Sequence, residues 1–204
     1  MAISNDIFST QEPQNYAEAR ELIRSGDILL CSGTSNFSVL IEEATKSIWS
    51  HVALILRLED INRVMVLESV ESIGVRTVPL SYYAFNYNET NKGYPGKILI
   101  ARHDQFAEKN ISNLSKEAVD LLGSTYDSEH IAAIALHIVK RDLLINNGEN
   151  IDIGNNTFIC SEYVYKCFKS VGITINFNSA GYISPADFAN DQAVQDIVLI
   201  NCSE

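Results

Sequence analysis

Apolar residues along the chain come in short dense runs separated by polar stretches carrying Gly, Asn or acidic residues. Five runs rich in Val, Ile and Leu have strand length: Asp27–Cys31, His51–Leu56, Arg63–Val70, Val75–Leu80 and Lys97–Arg102, with a last one at Ile197–Ile200. Elsewhere the spacing changes to three and four. It predicts a short helix through Tyr16, Leu22 and Ile23, with Pro13 before it and Gly26 closing it, and another over Phe37–Ile48 through Val39, Leu40, Ile41 and Ala44. Further helices are predicted over Ser115–Leu122, His130–Ile145 and Cys160–Val171, the last closed by Gly172. Ser184-Pro185-Ala186-Asp187 reads as a helix start, with Ser184 as cap and Pro185 in the first turn. Residues 1–12 read as loose, and Ser81–Gly96, with Tyr82, Tyr83, Tyr87 and Tyr94, as a Tyr- and Asn-rich loop.

Strands gathered in the first half with helices around them predict an α+β domain on a central antiparallel sheet. No repeat, low-complexity tract or linker divides the chain, so residues 1–204 read as one domain. The acidic pair Glu59-Asp60 between two strand runs predicts a hairpin turn.

Composition narrows the function classes. The chain has 204 residues with 46% hydrophobic and 20% charged residues, enough to fill a core without a disulfide or metal staple. No apolar run is long enough for a membrane-spanning helix. A net charge of −11 argues against nucleic acid, whose phosphates would be repelled, and suits a substrate bearing a free amine. The four cysteines, Cys31, Cys160, Cys167 and Cys202, show neither CxxC nor zinc spacing, and the histidines lack ligand spacing. No metal or other cofactor is therefore expected. Met1–Asn15 lacks the basic flank and apolar stretch of a secretory signal, which gives a cytoplasmic expectation with reduced thiols. Oligomeric state leaves no mark in the sequence.

Cys160 is the first candidate for chemistry. It stands where the short apolar approach Thr157-Phe158-Ile159 hands over to a helix, so its sulfur feels the positive end of the helix dipole. That position favours the thiolate, the form that attacks a carbonyl; a buried structural cysteine is the alternative. Cys31 falls inside a buried strand, Cys202 in a tail, and Cys167 two helical turns after Cys160 on the same face.

A nucleophile needs a base, and His51 opens a strand, a rigid mount at the edge of a core. His103 follows a strand, while His130 and His137 share one side of a helix with Arg141 and read as its solvated face. With Glu59-Asp60 as a two-residue turn, Leu58 opposes Ile61, Arg57 opposes Asn62, and His51 opposes Glu68 on the same face of the sheet. Glu68 is thus the candidate that fixes the imidazole. A turn one or two residues longer brings Ser69 or Val70 opposite instead.

Four stretches carry a family resemblance. Gly123-Ser124-Thr125-Tyr126-Asp127, and Cys160-Ser161-Glu162-Tyr163-Val164 with Phe168 and Gly172-Ile173 behind it, resemble the nucleophile half of NlpC-type papain-like peptidases. Gly26-Asp27-Ile28-Leu29-Leu30 and Ser50-His51-Val52-Ala53-Leu54-Ile55 resemble the histidine half. The halves stand in reversed order, which is similar to the circularly permuted YiiX/YebB-like branch, relatives of the lecithin:retinol acyltransferase group. The resemblance implies a circularly permuted papain-like fold, with Cys160 as nucleophile, His51 as base and Glu68 as third member. It implies that the Cys160 backbone N–H donates to an oxyanion. Tyr126 matches a tyrosine near the substrate carbonyl and Asp27 the family's Gly-Asp turn, the two positions taken as substrate-binding. For Tyr126 a core aromatic, and for Asp27 a structural role, are the alternatives.

The implied activity is a thiol amidase or peptidase that cuts short cell-wall-type (peptidoglycan) peptides beside a D-glutamyl residue through a thioester. Fatty-acyl transfer or lipid hydrolysis by the same pair is the rival enzymatic reading, with Ile131, Ile134, Leu136, Ile138, Val139, Leu143, Leu144 and Ile145 as acyl-site candidates and core packing of these residues as the alternative. An inactive peptide- or lipid-binding module using the Tyr82–Tyr94 loop is a third.

Overall fold

The computed structural model describes residues 2–106, 108–127, 157–177 and 182–202. The helix expected over His130–Ile145, with His130, His137 and the acyl-site candidates on it, lies outside the described residues.

Six strands form one antiparallel sheet: β1 (Ile28–Ser32), β2 (His51–Leu58), β3 (Arg63–Val70), β4 (Gly74–Pro79), β5 (Lys97–His103) and β8 (Val194–Ile200), in the order β4-β3-β2-β1-β5-β8. A two-stranded parallel pair, β6 (Thr125–Tyr126) and β7 (Thr157–Phe158), stands beside it. The strand runs are apolar at nearly every position because both faces of the sheet are covered. Ile28, Leu30, Val52 and Leu54 face a core shared with α5 (Glu108–Asp120) and α6 (Cys160–Ser170), through Leu114, Ala118, Tyr163 and Phe168. Leu29, Cys31, Ala53 and Ile55 face a second core under α2 (Tyr16–Leu22) and α4 (Leu80–Phe85), through Ala19, Leu80 and Tyr83. Burying a side chain of this kind contributes roughly 1.5–3 kcal/mol, so alternate residues of one strand hold two layers of helices.

Four expectations are corrected. The β2–β3 connection is longer than a two-residue turn: a 3-10 turn over Glu59–Ile61 is followed by Asn62 in the left-handed region, φ 48°, and the ladder pairs Leu58 with Arg63 and Leu54 with Leu67. Asparagine tolerates that conformation through its short polar side chain. Residues 1–12 are docked rather than loose. α1 (Ile7–Thr10) buries Ile7, Ile3 is buried beside it, and the Ile3 N–H donates to Ala189 O at 2.8 Å. Two isoleucines in a polar stretch carry too little periodicity to be read as an anchor. The expected Ser81–Gly96 loop begins instead with α4, whose Tyr83 is buried and packed against the rings of Tyr82, Tyr87 and Tyr94 at 5.2–5.8 Å. The helix expected from Ser115 starts two turns earlier, at Glu108.

The helix expected over Phe37–Ile48 forms as α3 (Asn36–Thr45), capped by Ser35, whose hydroxyl accepts from Ser38 N–H, but none of its residues is buried. Phe37 and Ile41 line a groove instead of a core, while Val39 and Leu40 are exposed. A capping pair also forms where expected: Ser184 N–H and hydroxyl donate to Asp187 Oδ2 at 2.7 and 2.6 Å at the start of α7 (Pro185–Asn190). No helix among the described residues is long and apolar enough to cross a membrane.

Candidate active site

The site stands at one end of the sheet, where β1 and β3 finish and β2 and β4 begin. Cys31 at the end of β1 pairs with His51, the first residue of β2. Continuing the β2–β3 ladder from Leu54↔Leu67 places Ala53 opposite Glu68 and His51 opposite Val70. The expected direct opposition of His51 and Glu68 is therefore off by two residues. A shift of two leaves every side chain on its original face, and Glu68 still reaches the imidazole: His51 Nε2 donates to Glu68 Oε2 at 2.8 Å.

Glu68 is fully buried, and each carboxylate oxygen is occupied. Oε2 also accepts from the Tyr83 hydroxyl at 2.6 Å. Oε1 accepts from Nε of Arg76, its direct cross-strand partner on β4, at 2.9 Å, and Nη2 of the same guanidinium lies at ion-pair distance, 2.9 Å. Burial alone would raise the carboxyl's pKa. The hydrogen bonds from His51 and Tyr83 and the Arg76 charge outweigh it and hold Glu68 below the usual carboxylate range.

Cys160 arrives from the other side of the sheet. β7 runs parallel to β6, pairing Tyr126 with Phe158. The Ser69 hydroxyl, next to Glu68 but on the opposite face of β3, donates to Phe158 O at 2.6 Å. The β3–β4 turn closes against the same segment at Gly74, φ +89°, where a Cβ would strike the Ser124 carbonyl oxygen. Two residues after Phe158, Cys160 is the first residue of α6, and Glu162 Oε2 accepts from the Ile159 N–H at 3.0 Å. The positive end of the helix dipole then lies at the sulfur.

Cys160 stands beside the His51 ring, close enough to act on it electrostatically, and the two line one groove. With Nε2 engaged by Glu68, the nitrogen left for sulfur is Nδ1. Burial would lower the imidazole pKa, but the interactions with Cys160 and Glu68 push it up to about 10. His51 thus carries the proton across the neutral range.

Cys160, His51 and Tyr126 line a groove of about 340 Å³. Phe37, Ser38 and Ile41 of α3 form one wall, and Val70, Glu71 and Ile73 of the β3–β4 turn another. A larger hollow of about 640 Å³ lies between the amino-terminal segment, the Asn91–Lys97 stretch and β8, and contains none of these groups. Among the described residues, no three His, Cys, Asp or Glu side chains stand together as a metal-binding group.

Of the five residues singled out in the sequence, the structure brings four together. Asp27 is at the other end of β1, buried, with its carboxylate accepting from Arg102 Nε and Nη2 at 2.6 and 2.9 Å and from the Arg24 N–H at 2.8 Å. It holds the turn before β1 to the end of β5 and does not line the groove, so its expected substrate contact is corrected to a structural ion pair. His103 closes β5, buried against Phe168 at 6.0 Å between ring centroids. Sequence reasoning missed Arg76, Tyr83 and Ser69. The signal for Arg76 was the second hairpin: counting outward from Glu71-Ser72-Ile73 pairs Val70 with Gly74 and Glu68 with Arg76.

The fold places the chain among known proteins. Its overall shape is similar to the crystal structure of metalloprotein yiiX from Escherichia coli O157:H7, at 17% sequence identity and a TM-score of 0.64, with 88% of this chain and 99% of that one covered. No curated protein sequence matches. Residues 22–201 match the family described as permuted papain-like amidase enzyme, YaeF/YiiX, C92, a span that runs from the end of α2 to the end of the sheet and includes every group just described. The chain is a member of this circularly permuted papain-like amidase family.

Proposed function

We propose that the protein is a cysteine hydrolase that cleaves an amide bond in short peptides of the cell-wall type, with Cys160 as nucleophile, His51 as proton carrier and Glu68 as the group that orients His51. One observation carries the proposal: the buried Glu68 carboxylate accepts from His51 Nε2 at 2.8 Å, and Cys160 stands beside the same ring in one groove. A nucleophile, a base and an orienting acid in this chain are what acyl transfer through sulfur requires.

The steps follow from that geometry. The reacting form pairs the Cys160 thiolate with protonated His51, and the thiolate attacks the amide carbon, forming a C–S bond and an oxyanion. The backbone N–H of Cys160, at the first turn of α6, donates to that oxyanion. Collapse breaks the C–N bond, and the leaving amine takes the proton from His51. Water then gives a proton to His51 and attacks the thioester, releasing the acid and restoring the thiol. Tyr126, on the groove wall beside Cys160, orients the carbonyl. Glu71 at the rim and the net charge of −11 favour a substrate bearing a free amine.

A second reading, transfer of a fatty-acyl group by the same pair, has one observation in its favour: Phe37, Ile41 and Ile73 give the groove apolar walls. The tyrosines of the binding-module reading pack against one another, and Tyr83, Tyr87 and Tyr94 line the same groove as Cys160 and His51. Incubation with short wall peptides and, separately, with acyl-lipid donors tests the choice. Release of a free amine from the peptide by wild type, absent in Cys160→Ala, supports the amidase. A stable acyl adduct on Cys160 from the lipid alone supports the alternative.

A further inference from the structure

The tyrosine-rich stretch and Arg76 have no part in the steps above, yet both converge on one carboxylate. Tyr83 is buried on α4, and its ring is enclosed by those of Tyr82, Tyr87 and Tyr94 at 5.8, 5.2 and 5.6 Å. The Tyr94 N–H donates to Tyr83 O at 2.7 Å, fixing the backbone as well. The one polar atom of the ring donates to Glu68 Oε2, the oxygen that also meets His51. Arg76 Nε donates to the other oxygen, the guanidinium is ion-paired to it, and the group lies over the Tyr82 ring at 5.6 Å. An isolated buried carboxylate costs several kcal/mol and tends to neutralise by taking up a proton. Here three hydrogen bonds, from His51, Tyr83 and Arg76, and the Arg76 charge hold it.

We infer that Arg76 and Tyr83 are positioning residues that act on the reaction through Glu68, holding its carboxylate against His51 Nε2. The inference rests on the proposed Cys160–His51–Glu68 reading. The Tyr82–Tyr94 stretch is then the buttress that delivers the Tyr83 hydroxyl. Burial and the adjacent Glu68 charge push that hydroxyl well above its ordinary pKa, so it remains a donor. The groups facing Glu68 from the surrounding elements are His51, Cys31, Arg76, Tyr83, Tyr87 and Tyr94. Only Arg76 and His51 bear positive charge, and only Tyr83 among the tyrosines bonds the carboxylate.

Loss of either donor eases protonation of Glu68, so the acid limb of His51-dependent chemistry moves to higher pH. The test is the rate of iodoacetamide alkylation at Cys160 against pH, read by peptide mass, which needs no substrate. Tyr83→Phe, which keeps the packed ring, and Arg76→Gln are expected to shift the acid limb upward by about one pH unit. That is about tenfold slower labelling at mildly acidic pH, with little change at neutral pH. Arg76→Lys, which keeps the charge without the fork, restores part of the shift. In a Glu68→Gln background neither substitution moves the profile, as coupling through one residue requires. Profiles that overlay wild type, or a shift of the same size in the Glu68→Gln background, overturn the inference. A wild-type protein whose Cys160 labelling does not depend on His51 removes the underlying reading and this inference with it. His51-dependent labelling that is indifferent to Tyr83 and Arg76 removes the inference alone.

Discussion

His51 Nε2 meets Glu68 Oε2 at 2.8 Å along a diagonal of the sheet, two residues away from the position directly opposite. Diagonal neighbours on one face lie about 7–8 Å apart at the backbone, within reach of long side chains. Glutamate spans that gap where aspartate, one methylene shorter, would not. Glu68→Asp is therefore expected to break the contact while keeping the charge, and to cost more activity than Glu68→Gln, which keeps the length. His51→Ala should exceed both, losing on the order of 10²–10⁴-fold in kcat/KM. The ranking is read from steady-state kinetics of the three variants.

Cys160→Ala should abolish turnover and leave the fold intact. The sulfur sits at a helix start facing the groove, and alanine fits the same first turn, so the expected stability cost is about 1 kcal/mol. Thermal melting beside the activity assay checks both halves.

The pH dependence has a fixed sign. The pKa of His51 in the folded protein, about 10, lies above the ordinary 6.5. Its stabilising contribution is therefore fully present below pH about 6.5 and is lost as pH rises through about 10. Glu68 is depressed, so its contribution is present above the ordinary carboxylate pKa and lost as pH falls through the lowered value. Between neutral pH and about 10, the melting temperature of wild type should fall more steeply than that of His51→Ala. Parallel slopes would mean that folding adds no net proton at the His51–Cys160 pair.

Ser69 ties the two halves of the site together, since its hydroxyl donates to Phe158 O at 2.6 Å from a fully buried position. Ser69→Ala leaves that carbonyl with only the long 3.5 Å bond from the Asp127 N–H and should destabilise the protein by about 1–3 kcal/mol. It should also slow alkylation of Cys160, two residues along the chain. Denaturant unfolding and labelling rates, measured together, test the link.

Asp27→Asn should do the reverse. The Asp27–Arg102 pair is remote from the groove, so the variant loses stability, by about 1–3 kcal/mol, and keeps the wild-type labelling rate at Cys160.

The strands, the Cys160 helix and the Ser184 cap were legible because each depends on local pattern: dense apolar runs, three-and-four spacing, and a cap followed by proline. Glu68 was found by a count that used the wrong turn. It survived because an error of two preserves the face, whereas an error of one would have pointed Glu68 into the other core and Ser69 at the imidazole. Arg76 was hidden because its partner is acidic and sits on the preceding strand, visible only once the β3–β4 turn is counted too. Tyr83 and the docking of Ile3 and Ile7 were not legible, since both depend on surfaces assembled from distant segments. Asp27 shows the reverse failure, a motif position whose partner, Arg102, lies 75 residues away.

The central claim is that Cys160 and His51 form an activated pair, and limited iodoacetamide labelling of wild type and His51→Ala at mildly acidic pH tests it most directly. The account predicts selective alkylation of Cys160 over the buried Cys31 and Cys167 and the half-buried Cys202, and loss of that selectivity in His51→Ala. Equal labelling of all four cysteines, or Cys160 labelling unchanged in His51→Ala, would contradict it.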